Sequence, residues 1–304
     1  MKARRLSWGL VIGVVMKPSF AIVGCGKVGL NLVKFLTKAG YPVSGLASRT
    51  IDSAKRAGEI ASTDNISTEA HTITKDADVV FITTPDGIIE QTCNDIAGNN
   101  GFSEKNVVFH CSGSLPSTLL ASAKKLGAKT GSIHPLQSFA TTDNDHSPFE
   151  GIIAAIEGEP AAVLAGLAIA EDLGARGLKI QTDSKMMYHA SAVVASNCLV
   201  TLVDFAYKLL GVAGIGHEDA YDVLGPLVEG TLTNIKKVGT TQALTGPVVR
   251  GDVSTVEEHI KEIAQKTPDL VALYKILGHH TVNIAKKRGT LSGTVEKDLF
   301  KLFE

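Results

Sequence analysis

The chain has 304 residues and a net charge of −1, and 44% of its residues are hydrophobic. This length exceeds what one compact core usually serves, so we expect two domains. The balanced charge excludes a large basic surface for nucleic acid, and four scattered cysteines without a C-x-x-C pair exclude a disulfide framework or a zinc cluster.

The first eighteen residues resemble a signal peptide, because a basic segment ending at Arg5 precedes an apolar run from Leu6 to Met16. That run is too short to span a bilayer, and no small-x-small cleavage site follows it. Secretion and an extension upstream of a true start at Met16 both fit the pattern. We favour the extension, and expect a cytoplasmic protein without stable membrane association.

A short apolar run, Phe20 to Val23, passes directly into a G-x-G-x-x-G motif and then into residues at helical spacing. Each glycine of the motif is required for a different purpose. The first permits a tight turn, the second leaves space for a pyrophosphate, and the third lets the helix pack close to the strand. The helix N-terminus then attracts the phosphates. The predicted cofactor contacts in this turn are Gly24, Cys25, Gly26, Lys27, Val28 and Gly29.

The end of the second predicted strand, residues 41–47, indicates which dinucleotide binds. An NAD site usually has an acidic residue there to hold the ribose hydroxyls, whereas this chain has Ser48, Arg49 and Thr50. A guanidinium forks onto phosphate oxygens, which suits the 2′-phosphate of NADP. The alternative is a solvated arginine at a strand end. We expect NADP.

Strand and helix patterns alternate up to Thr182, which predicts a doubly wound parallel sheet of the Rossmann type over residues 19–182. The carboxyl ends of parallel strands meet at one edge of such a sheet. We therefore expect Thr84, Pro85 and Ser112 to contact the cofactor, and Ser114 and His134 to contact a substrate. A purely structural role fits His134 equally well.

Helical patterns alone fill residues 183–304, which we predict to form a substrate and dimerisation domain. On its first helix, Lys185, His189 and Ser196 are spaced to share one face, and Asn197 lies about a third of a turn away. The opposite positions are apolar, and we expect them to hold the helix in a core. The polar face could line a cleft, or could simply be exposed near a domain border.

A glycine-rich segment, residues 239–252, is predicted as the one extended loop of this half. Within it, Arg250 could present its guanidinium to a substrate carboxylate. The alternative is that Arg250 and Asp252 pair and merely fix the loop.

These motifs resemble the 6-phosphogluconate, 3-hydroxyacid and ketopantoate reductase superfamily. In that superfamily the first helix of the second domain carries a Lys-x-x-x-Asn pair whose lysine exchanges a proton with the carbonyl. Lys185 matches the lysine, and His189 stands in place of the asparagine. The resemblance also implies a homodimer that pairs through its helical domain.

A closer resemblance is to a bacterial family that joins a Rossmann-like NADP-binding domain to a helical domain of unknown function and has no assigned substrate. It extends over nearly the whole chain. The segments that carry it are residues 110–114, 134–139, 188–190, 196–197 and 244–252.

Together these features predict an NADP-dependent oxidoreductase that moves a hydride between nicotinamide and a small carbonyl or imine compound bearing a carboxylate. Lys185 would act as general acid, His189 would orient or relay the proton, Asn197 or Ser196 would bind the substrate, and Arg250 would anchor its carboxylate. The alternative is a non-catalytic NADP(H)-binding sensor or scaffold. No metal site is predicted.

Overall fold

A computed structural model describes residues 10–11, 14–139 and 146–304. The chain divides into two compact units, Met1–Val193 and Val194–Glu304. The extension predicted over residues 1–18 falls largely outside the described residues. Its described part contains two short strands, β1 (Leu10–Val11) and β2 (Val14–Val15), which pair antiparallel.

The first unit is an eight-stranded sheet with helices between the strands. Its strands are β3 (Phe20–Val23), β4 (Val43–Ala47), β5 (Ile66–Ser67), β6 (Val79–Ile82), β7 (Val107–His110), β8 (Lys129–Pro135), β9 (Ile153–Gly158) and β10 (Arg176–Lys179). Its helices are α1 (Lys27–Lys38), α2 (Ile51–Ala61), α3 (His71–Thr74), α4 (Ile89–Gly98), α5 (Ala121–Lys125) and α6 (Pro160–Asp172). Single 3₁₀ turns lie at Asp86–Ile88, Ser117–Leu120 and Thr182–Ser184.

The sheet has the order β10-β9-β8-β7-β6-β3-β4-β5, which confirms the predicted Rossmann-type architecture. The expectation of a wholly parallel sheet is wrong at one edge, because β9 runs antiparallel to β8. A parallel neighbour needs a crossover, usually a helix. The described residues between these strands, 136–139 and 146–152, contain only turns and bends. This reversal places Glu157 of β9 opposite Ser132 of β8.

Both faces of the sheet are buried. Along β3, Phe20 and Ile22 belong to one apolar cluster, while Ala21 and Val23 belong to another. Because successive side chains of a strand point to opposite faces, the two clusters cover the two sides of the sheet. Because β3, β6 and β7 run parallel, the polar residues that follow their carboxyl ends lie together at one edge of the sheet.

A long helix, α7 (Lys185–Val212), crosses the division between the units, and the rest of the second unit is helical as predicted. It contains α8 (Ala220–Ala243), α9 (Pro247–Arg250), α10 (Val253–Lys266), α11 (Val271–Arg288) and α12 (Gly293–Phe303), with a 3₁₀ turn at Pro268–Leu270. The extended loop expected over 239–252 is partly wrong. Helix α8 continues past a kink at Gly239 to Ala243, and α9 occupies residues 247–250 of the segment.

The expectation that the apolar side of α7 lies in a core is also wrong. Met186, Val194 and Val200 are all more than half exposed. Within the described residues, the segment Thr182–Val212 is the one helical stretch whose length and composition would suffice to cross a membrane, and little of it is buried. The fully buried cluster of the second unit comes from α9 to α12.

Candidate functional site

The turn after β3 has the geometry that each of its glycines was predicted to supply. Gly24 adopts a φ of +106°, which other residues rarely adopt. A Cβ on Gly26 would meet nothing within 4 Å, so the backbone is open to a ligand at that point. A Cβ on Gly29 would overlap the Gly24 carbonyl oxygen and stand 2.8 Å from the hydroxyl of Thr83. Strand, turn and helix are thus locked together, with Gly26 at the N-cap of α1.

Neighbouring strands hold this turn in place. The Gly24 N–H donates to the Ala47 carbonyl at 2.8 Å, and the Thr83 hydroxyl donates to the Gly24 carbonyl at 2.5 Å. The Cys25 thiol is buried and faces the same Ala47 carbonyl at 3.5 Å, and burial raises its pKa to about 11. Cys25 is therefore a packing residue in its thiol form.

Thr84 has a hydroxyl group that a bound ligand could satisfy. Its hydroxyl oxygen is buried and has no hydrogen-bond partner among the described residues, which is rare for a buried polar group. It lines a cavity of about 340 Å³ together with Gly24, Ser48 and Arg49. A cavity that borders the first glycine of the turn and contains an unsatisfied hydroxyl fits a dinucleotide.

Of the three residues predicted to contact the ribose, Ser48 and Arg49 line that cavity and Thr50 lies outside its lining. Arg49 is exposed, whereas the Thr50 hydroxyl accepts a bond from Ser53 N and caps α2. The cavity is also lined by Glu69 and His71, whose side chains approach to 4.0 Å. Arg49 favours a phosphate there, and the Glu69 carboxylate opposes one.

Two serines at the end of β7 share a carboxylate. The Ser112 hydroxyl donates to Asp86 Oδ2 at 2.7 Å, and the Ser114 hydroxyl donates to the same oxygen at 3.3 Å. Pro85, directly before Asp86, is exposed at the end of β6. Ser112, Ser114 and Pro85 thus lie along one edge of the sheet, where the sequence predicts that they contact a cofactor or a substrate.

Lys185 lies in the first turn of α7, and its side chain packs against one face of the sheet. Its Nζ donates to Ser132 Oγ at 2.5 Å and lies 3.9 Å from Glu157 Oε1, and both charged side chains are 1% exposed. Ser132 and His134 alternate with the core residue Ile133, so they share one face of β8. Lys185 reaches the first of them, and Tyr188, one helical turn later, reaches the second.

Burial sets the protonation of this lysine. It lowers the pKa of Lys185 to about 8, against the opposing effect of the charges on Glu157 and Asp86. Burial also raises the pKa of the Cys111 thiol, which stays protonated. Lys185 is therefore an ammonium at neutral pH that gives up its proton far more readily than an exposed lysine.

His134, Tyr188 and His189 form an aromatic group over the backbone of Gly113. His134 Nδ1 lies 3.2 Å from the Tyr188 hydroxyl, and the two imidazole centroids are 6.2 Å apart. A Cβ on Gly113 would stand 2.6 Å from His189 and 2.8 Å from His134. Burial, aided by the charges of Lys185 and His189, lowers the pKa of His134 to about 4. The His134 imidazole is therefore neutral at physiological pH.

The structure thus brings Lys185, His189 and His134 together within the first unit. Ser196 and Asn197 are exposed on the part of α7 that belongs to the second unit. Arg250 ends α9, and its Nε donates to Asp252 Oδ2 at 2.8 Å. That pair is the loop-fixing arrangement that the sequence left open as an alternative.

The sequence did not identify Ser117, Ser132 and Glu157 as members of the site, and it gave Gly113 and Tyr188 only as part of the family resemblance. A glutamate within a buried apolar strand, Ile153–Gly158, is the signal that could have been noticed, because buried carboxylates need partners. Its partners come from distant segments, so local spacing could not identify them.

Comparison with protein families agrees with this architecture. Residues 15–135 match the Rossmann-like domain, and residues 152–281 match a domain of unknown function, DUF2520. No curated protein matches the sequence.

Solved structures share the fold over most of their length. Protein TM1727 from Thermotoga maritima is 27% identical, with a TM-score of 0.72 over 89% of this chain and 99% of that one. A Bacteroides fragilis protein named as an NADP oxidoreductase, BF3122, is 22% identical, with a TM-score of 0.69 and the same coverage. A reductive aminase from Aspergillus terreus, solved with NADPH and ethyl levulinate, is 15% identical, with a TM-score of 0.60 over 95% and 100% of the two chains. The fold is therefore one that nicotinamide-dependent oxidoreductases use.

Proposed function

We propose that this chain, which joins a Rossmann-like domain to a DUF2520 domain, is an NADP-dependent oxidoreductase acting on a small carbonyl or imine compound that bears a carboxylate. The observation that carries the proposal is Lys185, a buried ammonium held by Ser132 on the sheet whose first turn has the open three-glycine geometry. A non-catalytic NADP(H) sensor would use the turn but would have no need of that lysine.

In this proposal the bound nicotinamide dinucleotide supplies the hydride, and the chain supplies the proton. Lys185 acts as general acid, and its pKa near 8 keeps it charged yet able to donate at neutral pH. The neutral His134 and Tyr188 form a hydrogen-bonded pair beside it, and His189 packs against His134 to orient the pair. Ser196, Asn197 and Arg250 remain proposed substrate contacts on sequence grounds.

A turnover screen tests the function. Purified protein is mixed with NADPH and a panel of small oxo acids and cyclic imines, the oxo acids with and without an amine, and nicotinamide absorbance is followed. The pairing of a carbonyl compound with an amine is suggested by the name of the reductive aminase and by the ketone ethyl levulinate in its structure. We expect consumption of NADPH with at least one carboxylate-bearing compound. Tight NADPH binding without turnover on the whole panel would favour the sensor instead.

Arg49 should determine the preference for NADP. We expect Arg49→Ala to weaken NADPH binding about tenfold or more, since a charge-assisted bond contributes about 1.5–3 kcal/mol, and to leave NADH binding nearly unchanged. Glu69→Gln is the matched opposite, because it removes the carboxylate that lines the same cavity. It should tighten NADPH binding. Fluorescence titration of the wild type and both variants with each nucleotide measures the six affinities, and equal losses for NADPH and NADH in Arg49→Ala would contradict the assignment.

We also propose that two copies of the chain pair through α7 and α8. These helices carry a series of large apolar side chains that are each more than two-fifths exposed: Val194, Val200, Leu202, Val212, Tyr221, Val223, Leu227, Leu232 and Val238. Soluble proteins rarely expose apolar patches of this extent without a partner. Charged residues within α8, among them Glu229 and Lys236, suit a protein interface better than a bilayer.

Leu227→Lys tests the pairing, because Leu227 is 67% exposed on α8. We expect light scattering to give twice the chain mass of 31.9 kDa for the wild type and a shift toward monomer in this variant. Leu164→Lys is the control, since Leu164 is equally apolar and 58% exposed on α6 of the other unit. A monomeric wild type that sediments with lipid vesicles would contradict the proposal and indicate a membrane partner.

A further inference from the structure

Glu157 is the most heavily bonded side chain of the site. It is 1% exposed, and four donors converge on its two oxygens. Ser117 N and Ser132 Oγ donate to Oε1 at 2.9 and 2.5 Å, while Ser117 Oγ and Thr182 Oγ1 each donate to Oε2 at 2.8 Å. One carboxylate thus joins β8, the 3₁₀ turn at Ser117–Leu120 and the segment that leads into α7.

These bonds keep the carboxylate charged. Burial alone would raise the pKa of Glu157, but the hydrogen bonds from Ser132, Ser117 and Thr182 and the charge of Lys185 outweigh burial and lower it. A charged carboxylate only accepts hydrogen bonds. The single proton of the Ser132 hydroxyl is directed at Glu157, so the serine oxygen is left to accept from Lys185.

We propose that Glu157 is the positioning residue of this site, which acts through Ser132 to fix the Lys185 ammonium on the sheet and holds it in the charged form with its own negative charge. The expected effect of Glu157 on catalysis rests on the proposed function. Its expected effect on the pKa of Lys185 does not. Lys185 donates to Ser132, and Ser132 donates in turn to Glu157. The charges of Lys185 and Glu157 are 3.9 Å apart, which is close enough for direct attraction in a buried setting.

Glu157→Gln removes the charge and keeps the shape. The glutamine oxygen can replace Oε1 and accept from Ser117 N and Ser132, while its amide can donate to the Ser117 and Thr182 hydroxyls, which rotate to accept. Glu159→Gln is the matched control. It makes the same substitution nearby in the sequence, where Glu159 accepts from Thr130 N and pairs with Lys124 near the surface.

The first readout needs no substrate. Lysines labelled with ¹³C at the ε carbon are titrated by NMR, with Lys185→Met to assign the signal. We expect the midpoint for Lys185 to fall by about one pH unit in Glu157→Gln, because an opposite charge at this range shifts a pKa by about 1–3, and to stay in place in Glu159→Gln. An unchanged midpoint in folded Glu157→Gln overturns the inference.

Ser132→Ala distinguishes the positioning of Lys185 through the serine from the effect of the Glu157 charge. It also tests the inference if Glu157→Gln does not fold. It breaks the hydroxyl link but leaves the carboxylate, so we expect the Lys185 midpoint to stay near its wild-type value while kcat falls with little change in KM. In Glu157→Gln the alkaline limb of kcat should instead move to lower pH, with activity regained at acidic pH. A midpoint in Ser132→Ala that moves by one pH unit or more would overturn the role of the charge.

The two proposals fail separately. If the midpoint moves but no compound is turned over, the proposed function fails and the electrostatic role of Glu157 stands. If turnover occurs and neither the midpoint nor the pH profile moves in Glu157→Gln, the positioning role fails and the oxidoreductase stands.

Discussion

Lys185→Met is expected to lower kcat by about 100- to 10,000-fold, the range that a positioned general acid contributes, and to leave the NADPH dissociation constant within about twofold. Methionine has nearly the length of lysine and no proton to donate, while the dinucleotide turn lies elsewhere on the sheet. Steady-state kinetics and fluorescence titration on the same preparation measure the two quantities. A kcat close to that of the wild type would remove Lys185 from the mechanism.

The substitution also leaves Glu157 buried without its charged partner. Removing one member of a buried pair costs about 3–5 kcal/mol, so lost activity could reflect lost folding. The double variant Lys185→Met/Glu157→Gln removes both charges and serves as control. We expect its thermal midpoint to recover toward the wild type while kcat stays as low as in the single variant. Recovery of activity together with stability would mean that the lysine is only structural.

Replacing two glycines of the turn by alanine is expected to have different effects: Gly29→Ala should lower stability, and Gly26→Ala should weaken cofactor binding. Gly29→Ala drives a methyl into the Gly24 carbonyl and the Thr83 hydroxyl, backbone and side chain that other strands hold in place. Overpacking of this kind costs about 1–3 kcal/mol or more, which corresponds to a fall in melting temperature of roughly 2–12 °C for a unit of this size. Thermal unfolding followed by circular dichroism measures it.

Gly26→Ala should keep the melting temperature and lose the cofactor. Its Cβ meets no atom of the chain within 4 Å, so the cost to folding is small, but the methyl occupies the space that the pyrophosphate needs. We expect NADPH affinity to fall at least tenfold by fluorescence titration. Undiminished binding in Gly26→Ala would mean that the nucleotide does not approach this turn.

The turn was predictable because its determinants are local. Gly24, Gly26 and Gly29 lie within six residues, and the strand and helix on either side carry their own periodicity. Lys185 and His189 could likewise be found on one face of one helix. The second half of the chain was assigned as helical for the same reason.

The network below Lys185 depends on long-range register and could not be found this way. Glu157 meets Ser132 only because β9 runs antiparallel to β8, and the alternating pattern predicted the opposite direction. The apolar side of α7 was mistaken for a core face, since composition does not tell a core from an uncovered surface. Arg250 was expected in a loop and instead ends α9, and whether it binds a ligand or Asp252 depends on distances that spacing leaves undetermined.

The glycine turn is proposed to bind a nicotinamide dinucleotide and to prefer the phosphorylated form. Titration of the wild-type chain with NADPH and with NADH, followed by nicotinamide fluorescence, tests this proposal most directly. We predict saturable binding of both, with NADPH at least tenfold tighter. If neither nucleotide bound, the turn would have an architectural role only, which would contradict the proposed cofactor.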